Sequence, residues 1–200
     1  MRHGGEWSEE IVLGDAIRAR LRLVQPTDKT MLRAAFEVLS PESRFLRFFQ
    51  RKASLTDDEL RYLTEMDQID HLALGAVMLD DAGDEVEGLG VARFVKLAGR
   101  AETAEAAVVV ADRIHGMGLG RLLFERLELA AVERGIERFR CEALAANAAL
   151  LALVEGLAPD AEVVEQHDGV VVLEWSLKPA PLPSPLAAFL SALFGDKRNP

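Results

Sequence analysis

The segment RIHGMGLGR (113–121) sets three glycines, Gly116, Gly118 and Gly120, at the head of a leucine run with helical spacing. A glycine backbone approaches a diphosphate closely, and the first amides of a helix, with the positive end of its dipole, favour phosphate there. The same spacing also suits a tight turn that binds nothing. It excludes two nucleotide chemistries: the dinucleotide fingerprint needs G-x-G-x-x-G after a strand of a parallel crossover sheet, and the P-loop needs Gly-Lys-Ser/Thr where this loop has Gly-Arg-Leu. Just upstream, Glu105 is the one acid in TAEAAVVVA (103–111). Desolvation in so apolar a strand raises a carboxylate pKa towards that of a useful base; alternation with Thr103 equally makes it a strand-end glutamate facing water. His3, His71, His115 and His167 lack ligand spacing, so no metal site is expected. Cys141, the single cysteine, lies in an apolar strand and reads as a buried structural thiol rather than an acyl carrier.

These residues need a frame. Ile17, Ala19, Leu21 and Leu23 alternate with Arg18, Arg20 and Arg22, the period-two signature of a half-buried strand. Helices follow: one through MLRAAFEVL (31–39), one opened by Ser40-Pro41, and one opened by the capping-box sequence Thr56-Asp57-Asp58-Glu59. Within SRFLRFFQRK (43–52), Phe45, Phe48 and Phe49 are expected inward and Arg44, Arg47 and Arg51 solvated. A three-strand meander runs through 71–79, 87–97 and 103–111, the last buried on both faces by its apolar run. After the glycine loop come a helix with Leu119, Leu122, Leu123 and Leu127 on one face, a strand at 139–144, a helix from Asn147 to about Leu157, and a hairpin turning at Asp168-Gly169. The class is mixed α/β of the α+β type, not doubly wound. Residues 1–16 are expected to be a flexible N-terminal segment, 17–178 one globular domain, and 179–200 a Pro-rich linker with an amphipathic helix that docks on its own domain or on a second subunit as a homodimer.

Composition narrows the classes further. Two hundred residues suffice for one sizeable core. The 33 acidic residues against 23 basic ones give a net charge of -10 and disfavour nucleic acid and anionic membrane as partners. No apolar run approaches the roughly 20 residues of a spanning helix, and the polar, acidic N-terminus does not read as a signal peptide. With one cysteine, this suggests a reducing, cytoplasmic setting. Eighteen arginines against five lysines fit a GC-rich bacterial genome.

The element order, and AVVVADRIHGMGLGRLLFERL (107–127) in particular, resemble the GNAT superfamily of N-acetyltransferases, whose signature Gln/Arg-x-x-Gly-x-Gly/Ala lies at the coenzyme A diphosphate. His115 stands at the Gln/Arg position, and Gly118 and Gly120 match the glycines; the likeness spans about residues 18–177. LSPESRFLRFF (39–49), LTDDELRYL (55–63) and AEAAVVVAD (104–112) are similar to the GNAT domains of bacterial protein lysine acetyltransferases. Those domains are often fused to a nucleotide-binding or synthetase-like module; none accompanies these residues, so no cyclic-nucleotide regulation is implied.

The resemblance implies a GNAT fold, with a mixed, mostly antiparallel sheet and helices on both faces. It further implies transfer of an acetyl group from acetyl-CoA to a primary amine by direct attack in a ternary complex. A protein lysine is the first choice of acceptor and a small amine or amino acid the second; a noncatalytic acyl-CoA sensor is the remaining alternative. Glu105 matches the general base. Val108 and Val110 match the main chain that bonds the pantetheine arm, His115, Gly116, Met117, Gly118, Leu119, Gly120 and Arg121 the diphosphate loop, and Asn147 a cofactor-contacting asparagine whose bland reading is a helix cap. The tyrosine usual seven residues after that asparagine is Val154 here, and the usual Gly-Phe pair is Gly156-Leu157, so no general acid is assigned. Tyr62, the only tyrosine, lies far off in sequence.

Overall fold

The computed structural model describes residue 3, residues 7–14 and residues 16–177. Eight strands among them form one sheet, in the order β1 (Ser8–Leu13), β2 (Ile17–Leu23), β3 (His71–Leu79), β4 (Glu85–Leu97), β5 (Arg100–Val110), β6 (Arg138–Leu144), β8 (Val170–Ser176), β7 (Glu162–His167). Every neighbouring pair is antiparallel except β5 and β6. The mixed, mostly antiparallel sheet of the expected class is present. The Pro-rich segment and helix expected at 179–200 lie outside the described residues.

One element was not anticipated. Ser8–Leu13 pairs with β2 over six positions, where a flexible segment was expected. Its acids explain the pairing as well as its apolar residues: Glu9 takes two hydrogen bonds from Arg126 at 2.7 Å, and Glu10 one from Arg20 at 2.8 Å. A reading tuned to apolar alternation counts such acids against a strand.

Helices cover both faces. On one, α4 (Leu119–Val132) buries Leu119, Leu123, Phe124, Leu127, Ala130 and Ala131 in a core shared with β2–β6, and α5 (Ala148–Leu157) packs beside it. On the other, α1 (Lys29–Glu37), α2 (Pro41–Phe48) and α3 (Asp57–Thr64) close a smaller cluster of Phe36, Leu39, Leu55 and Leu60, against which Val109 packs. Their starts are set locally: Ser40 Oγ accepts from the Ser43 amide, and Thr56 and Glu59 form a reciprocal capping box. The 168–169 turn has φ of 48° and 79°, the double positive φ that Asp-Gly tolerates in a two-residue hairpin.

Candidate active site

The parallel pairing of β5 with β6 spans only Thr103–Glu105 against Arg138–Arg140. Beyond it β5 continues on β4 alone and β6 on β8 alone, so the two strands part like a fork. Register fixes what faces the opening. The Ala111 amide donates to the Leu89 carbonyl at 2.8 Å, which puts 111, 109 and 107 in the hydrogen-bonded pairs with β4. The main-chain groups of Ala106, Val108 and Val110 therefore point away from β4, into the fork. Their edge offers an extended ligand the hydrogen bonds of an added strand. The open fork also corrects the expected two-faced burial of this strand, since Ala107–Val110 are only half-buried.

At its far end β5 delivers the chain to the glycine loop. Gly116 and Gly118 have φ of 78° and 82°, and a Cβ at either would meet nothing within 4 Å, so both glycines are required by conformation and not by crowding. Gly118 opens α4 with no capping side chain, leaving the first-turn amides of Leu119, Gly120 and Arg121 without helical partners. Two expected donors are already spent: the His115 amide donates to the Asp112 carbonyl at 3.1 Å and the Met117 amide to the Ile114 carbonyl at 3.2 Å. The His115 ring lies 3.0 Å from the Val110 carbonyl and ties the loop back to the strand. The loop's unspent amides are thereby narrowed to Gly116 and Gly118–Arg121. Gly120 sits close under α5, with a built Cβ 3.6 Å from the Leu153 side chain.

Glu105 stands at the crotch of the fork, on the face shared with Arg140 and Glu142 of β6 and covered by α2. Its side chain reaches water. Burial, then the negative charge of Glu142, raises its carboxyl above the usual range, while Arg47 and Arg140 pull the other way. Arg140 is engaged by Glu165 at 2.9 Å. Arg47 comes from α2, whose start is bolted to the loop by Asp112: the carboxylate accepts from the Ser40 amide at 2.8 Å, the Ser40 hydroxyl at 3.0 Å and the Ser43 hydroxyl. Burial works to raise the Asp112 pKa, but those three bonds outweigh it and hold the group ionised.

Several expectations change here. Arg47 turns into the site instead of solvent, and Phe45 and Phe49 are exposed, with only Phe48 of the three packing inward. Asn147 caps α5 through Oδ1, which accepts from the Leu150 amide at 3.1 Å. Val154 is buried core, so nothing at that position handles a proton. Tyr62 is brought across to Arg93, whose guanidinium lies 5.8 Å from its ring centroid. Cys141 is a buried free thiol with its pKa pushed up to about 12, first by burial. The sequence reading missed Asp112, Arg47 and Arg93. Only Arg93 carried a local signal, a charge in the middle of an apolar strand.

An acetyltransferase (GNAT) family model matches residues 31–157. Acetyltransferase Pat of Mycolicibacterium smegmatis is 32% identical over 166 residues, covering 80% of this chain and 46% of that protein, so the chain spans less than half of that relative's length. The crystal structure of the GNAT domain of S. lividans PAT superposes with a TM-score of 0.75 at 29% identity, covering 87% of this chain and 99% of that one. The structure of yncA from Salmonella typhimurium with its cofactor acetyl-CoA shares the fold at a TM-score of 0.61 and 19% identity, over 84% of this chain and 98% of that one. Forked sheet, uncapped glycine-led helix and matched family model agree: this chain belongs to the GNAT family of acetyltransferases.

Proposed function

We propose that the chain transfers an acetyl group from acetyl-CoA to a primary amine, in first place a protein lysine, within a ternary complex. The observation that carries this is the continuity of the Ala106–Val110 edge with the uncapped start of α4, with Glu105 at the edge's inner end. The donor's diphosphate lies on the amides of Gly116 and Gly118–Arg121, and its pantetheine arm fills the fork along Val108 and Val110. The thioester supplies the activated acyl carbon. The Val108 amide polarises the thioester carbonyl, because hydrogen bonds aimed at the developing charge act where water is excluded.

A lysine amine, with a pKa of about 10.4, is almost wholly protonated at neutral pH and must lose its proton before attack. Glu105 accepts that proton, directly or through a water, and its raised pKa suits it to hold one transiently. With Val154 at the usual tyrosine position, the departing thiolate is protonated by water. Glu105→Gln is expected to keep acetyl-CoA affinity in calorimetry and to lose about a hundredfold or more in turnover. Undiminished turnover in that variant removes Glu105 from the mechanism.

The buried Val154 favours a second reading, an acyl-CoA sensor that binds but does not transfer. Acetyl-CoA binding with no acetylation of any lysine peptide or small amine in a broad panel selects the sensor.

A further inference from the structure

A cavity of about 100 Å³ lies between β3–β5 and helices α1–α3, with Phe36, Leu39, Phe48, Leu63 and Val109 in its apolar wall. Val110 and Ala111 line it too, so it borders the strand end that edges the fork. Three arginines interrupt the wall. Arg22 is saturated: it donates to Asp28 at 2.7 and 2.8 Å and to Glu85 at 2.6 and 3.0 Å. The other two are not.

Arg93 is 6% exposed, and its Nη2 donates to the Leu63 carbonyl at 3.1 Å, while Nη1 is buried without a partner. Arg47 has no carboxylate within ion-pairing distance among the described residues and rests over the Phe48 ring at 5.3 Å. The two guanidinia repel each other: burial first, then the charge of Arg47, pushes the Arg93 pKa down to about 10. Glu105 attracts Arg47 from the fork side without touching it, and the Tyr62 ring faces Arg93. A buried cation with an unmade hydrogen bond, beside a second, half-buried one, is costly unless an anion joins them.

We propose that this end of the cavity is a carboxylate subsite for the acyl donor, which takes short dicarboxylic acyl groups of the succinyl type. The assignment rests on the donor cleft proposed above. Two methylenes fit the wall of Phe48 and Val109, and the terminal carboxylate lies between Arg47 and Arg93. At about 100 Å³ the cavity is smaller than the roughly 150 Å³ that holds a benzene, which suits a four-carbon group. In the transfer the amine nitrogen forms the C–N bond and the thioester C–S bond breaks with its electron pair on sulfur. With the ammonium proton already on Glu105, the amine's second proton passes through water to the thiolate, leaving an amide, a free thiol and the distal carboxylate still ionised.

Calorimetry on the full chain tests this with three donors: acetyl-CoA, succinyl-CoA and 4-methylpentanoyl-CoA, the neutral isostere of succinyl-CoA. Succinyl-CoA is expected to bind at least tenfold more tightly than the isostere, with that ratio falling towards one in Arg93→Gln. Should the buried Arg93→Gln fail to fold, Arg47→Gln reads the same ratio. Equal affinity for the two donors in the unmodified chain overturns the subsite while acetyl-CoA binding leaves the donor cleft standing; no binding of any donor overturns the cleft itself. A preference that survives in both variants overturns the role of these arginines. Faster acetylation of carboxylate-bearing amines, with donors undiscriminated, moves the carboxylate to the acceptor and overturns the donor assignment.

Discussion

The closed end of the fork is held by a carboxylate, and removing its charge has a calculable cost. Glu174 of β8, 6% exposed, accepts from Arg100 at 2.7 and 3.0 Å and from Arg138 at 2.7 Å, so one side chain ties the start of β5 to the start of β6. Hydrogen bonds from Arg100, then those from Arg138, outweigh burial and lower its pKa from 4.5 to about 2. At about 1.4 kcal/mol per tenfold, the ionised form is favoured by about 3 kcal/mol. Both guanidinia reach solvent, which screens the pair and trims the expectation for Glu174→Gln to about 2 kcal/mol. In a chain of this length that is a melting-point loss of about 4–8 °C. The folded pKa lies below the unfolded one, so this stability is complete above pH of about 4.5 and drains away as pH falls towards 2. Urea unfolding of the two proteins should differ by about 2 kcal/mol at pH 7 and converge progressively as pH falls from about 5 towards 2. A difference under about 0.5 kcal/mol at pH 7, or one that ignores pH, refutes the clamp.

Two further outcomes bear on the site. With Glu105 as the proposed base, activity requires its ionised form, so the acidic limb of kcat/KM against pH should lie above the ordinary carboxylate range. Removing the neighbouring negative charge with Glu142→Gln should move that limb to lower pH, and a limb unmoved by Glu142→Gln dissociates it from Glu105. Gly118→Ala forces an alanine to adopt a φ of 82° in open space, so it should cost about 1 kcal/mol in stability, together with a higher KM for the donor. A stability equal to that of the unmodified chain contradicts the left-handed turn.

What the sequence made legible follows from how far each signal reaches along the chain. The β2 alternation, the Thr56–Glu59 capping box, the Asp168-Gly169 turn and the glycine loop are written within ten residues, and each appears where it was expected. The Ser40–Asp112 bolt joins positions 72 apart in sequence, and no spacing encodes it. Arg47 shows the consequence. By periodicity alone it belongs with Arg44 and Arg51 on a wet helix face; once Asp112 seats the start of α2 on the loop, the last turn of that helix brings Arg47 within electrostatic reach of Glu105 without an ion pair. Arg93 is a misfit in the sequence, a charge within GVARFVKL, but only the fold shows that its Nη1 has no partner among the described residues. Glu105, the proposed base, and the glycine loop are local in sequence because β5 runs directly from one to the other. The charges that act on the proposed base come from α2 and β6, so the loop's own sequence carries no trace of them.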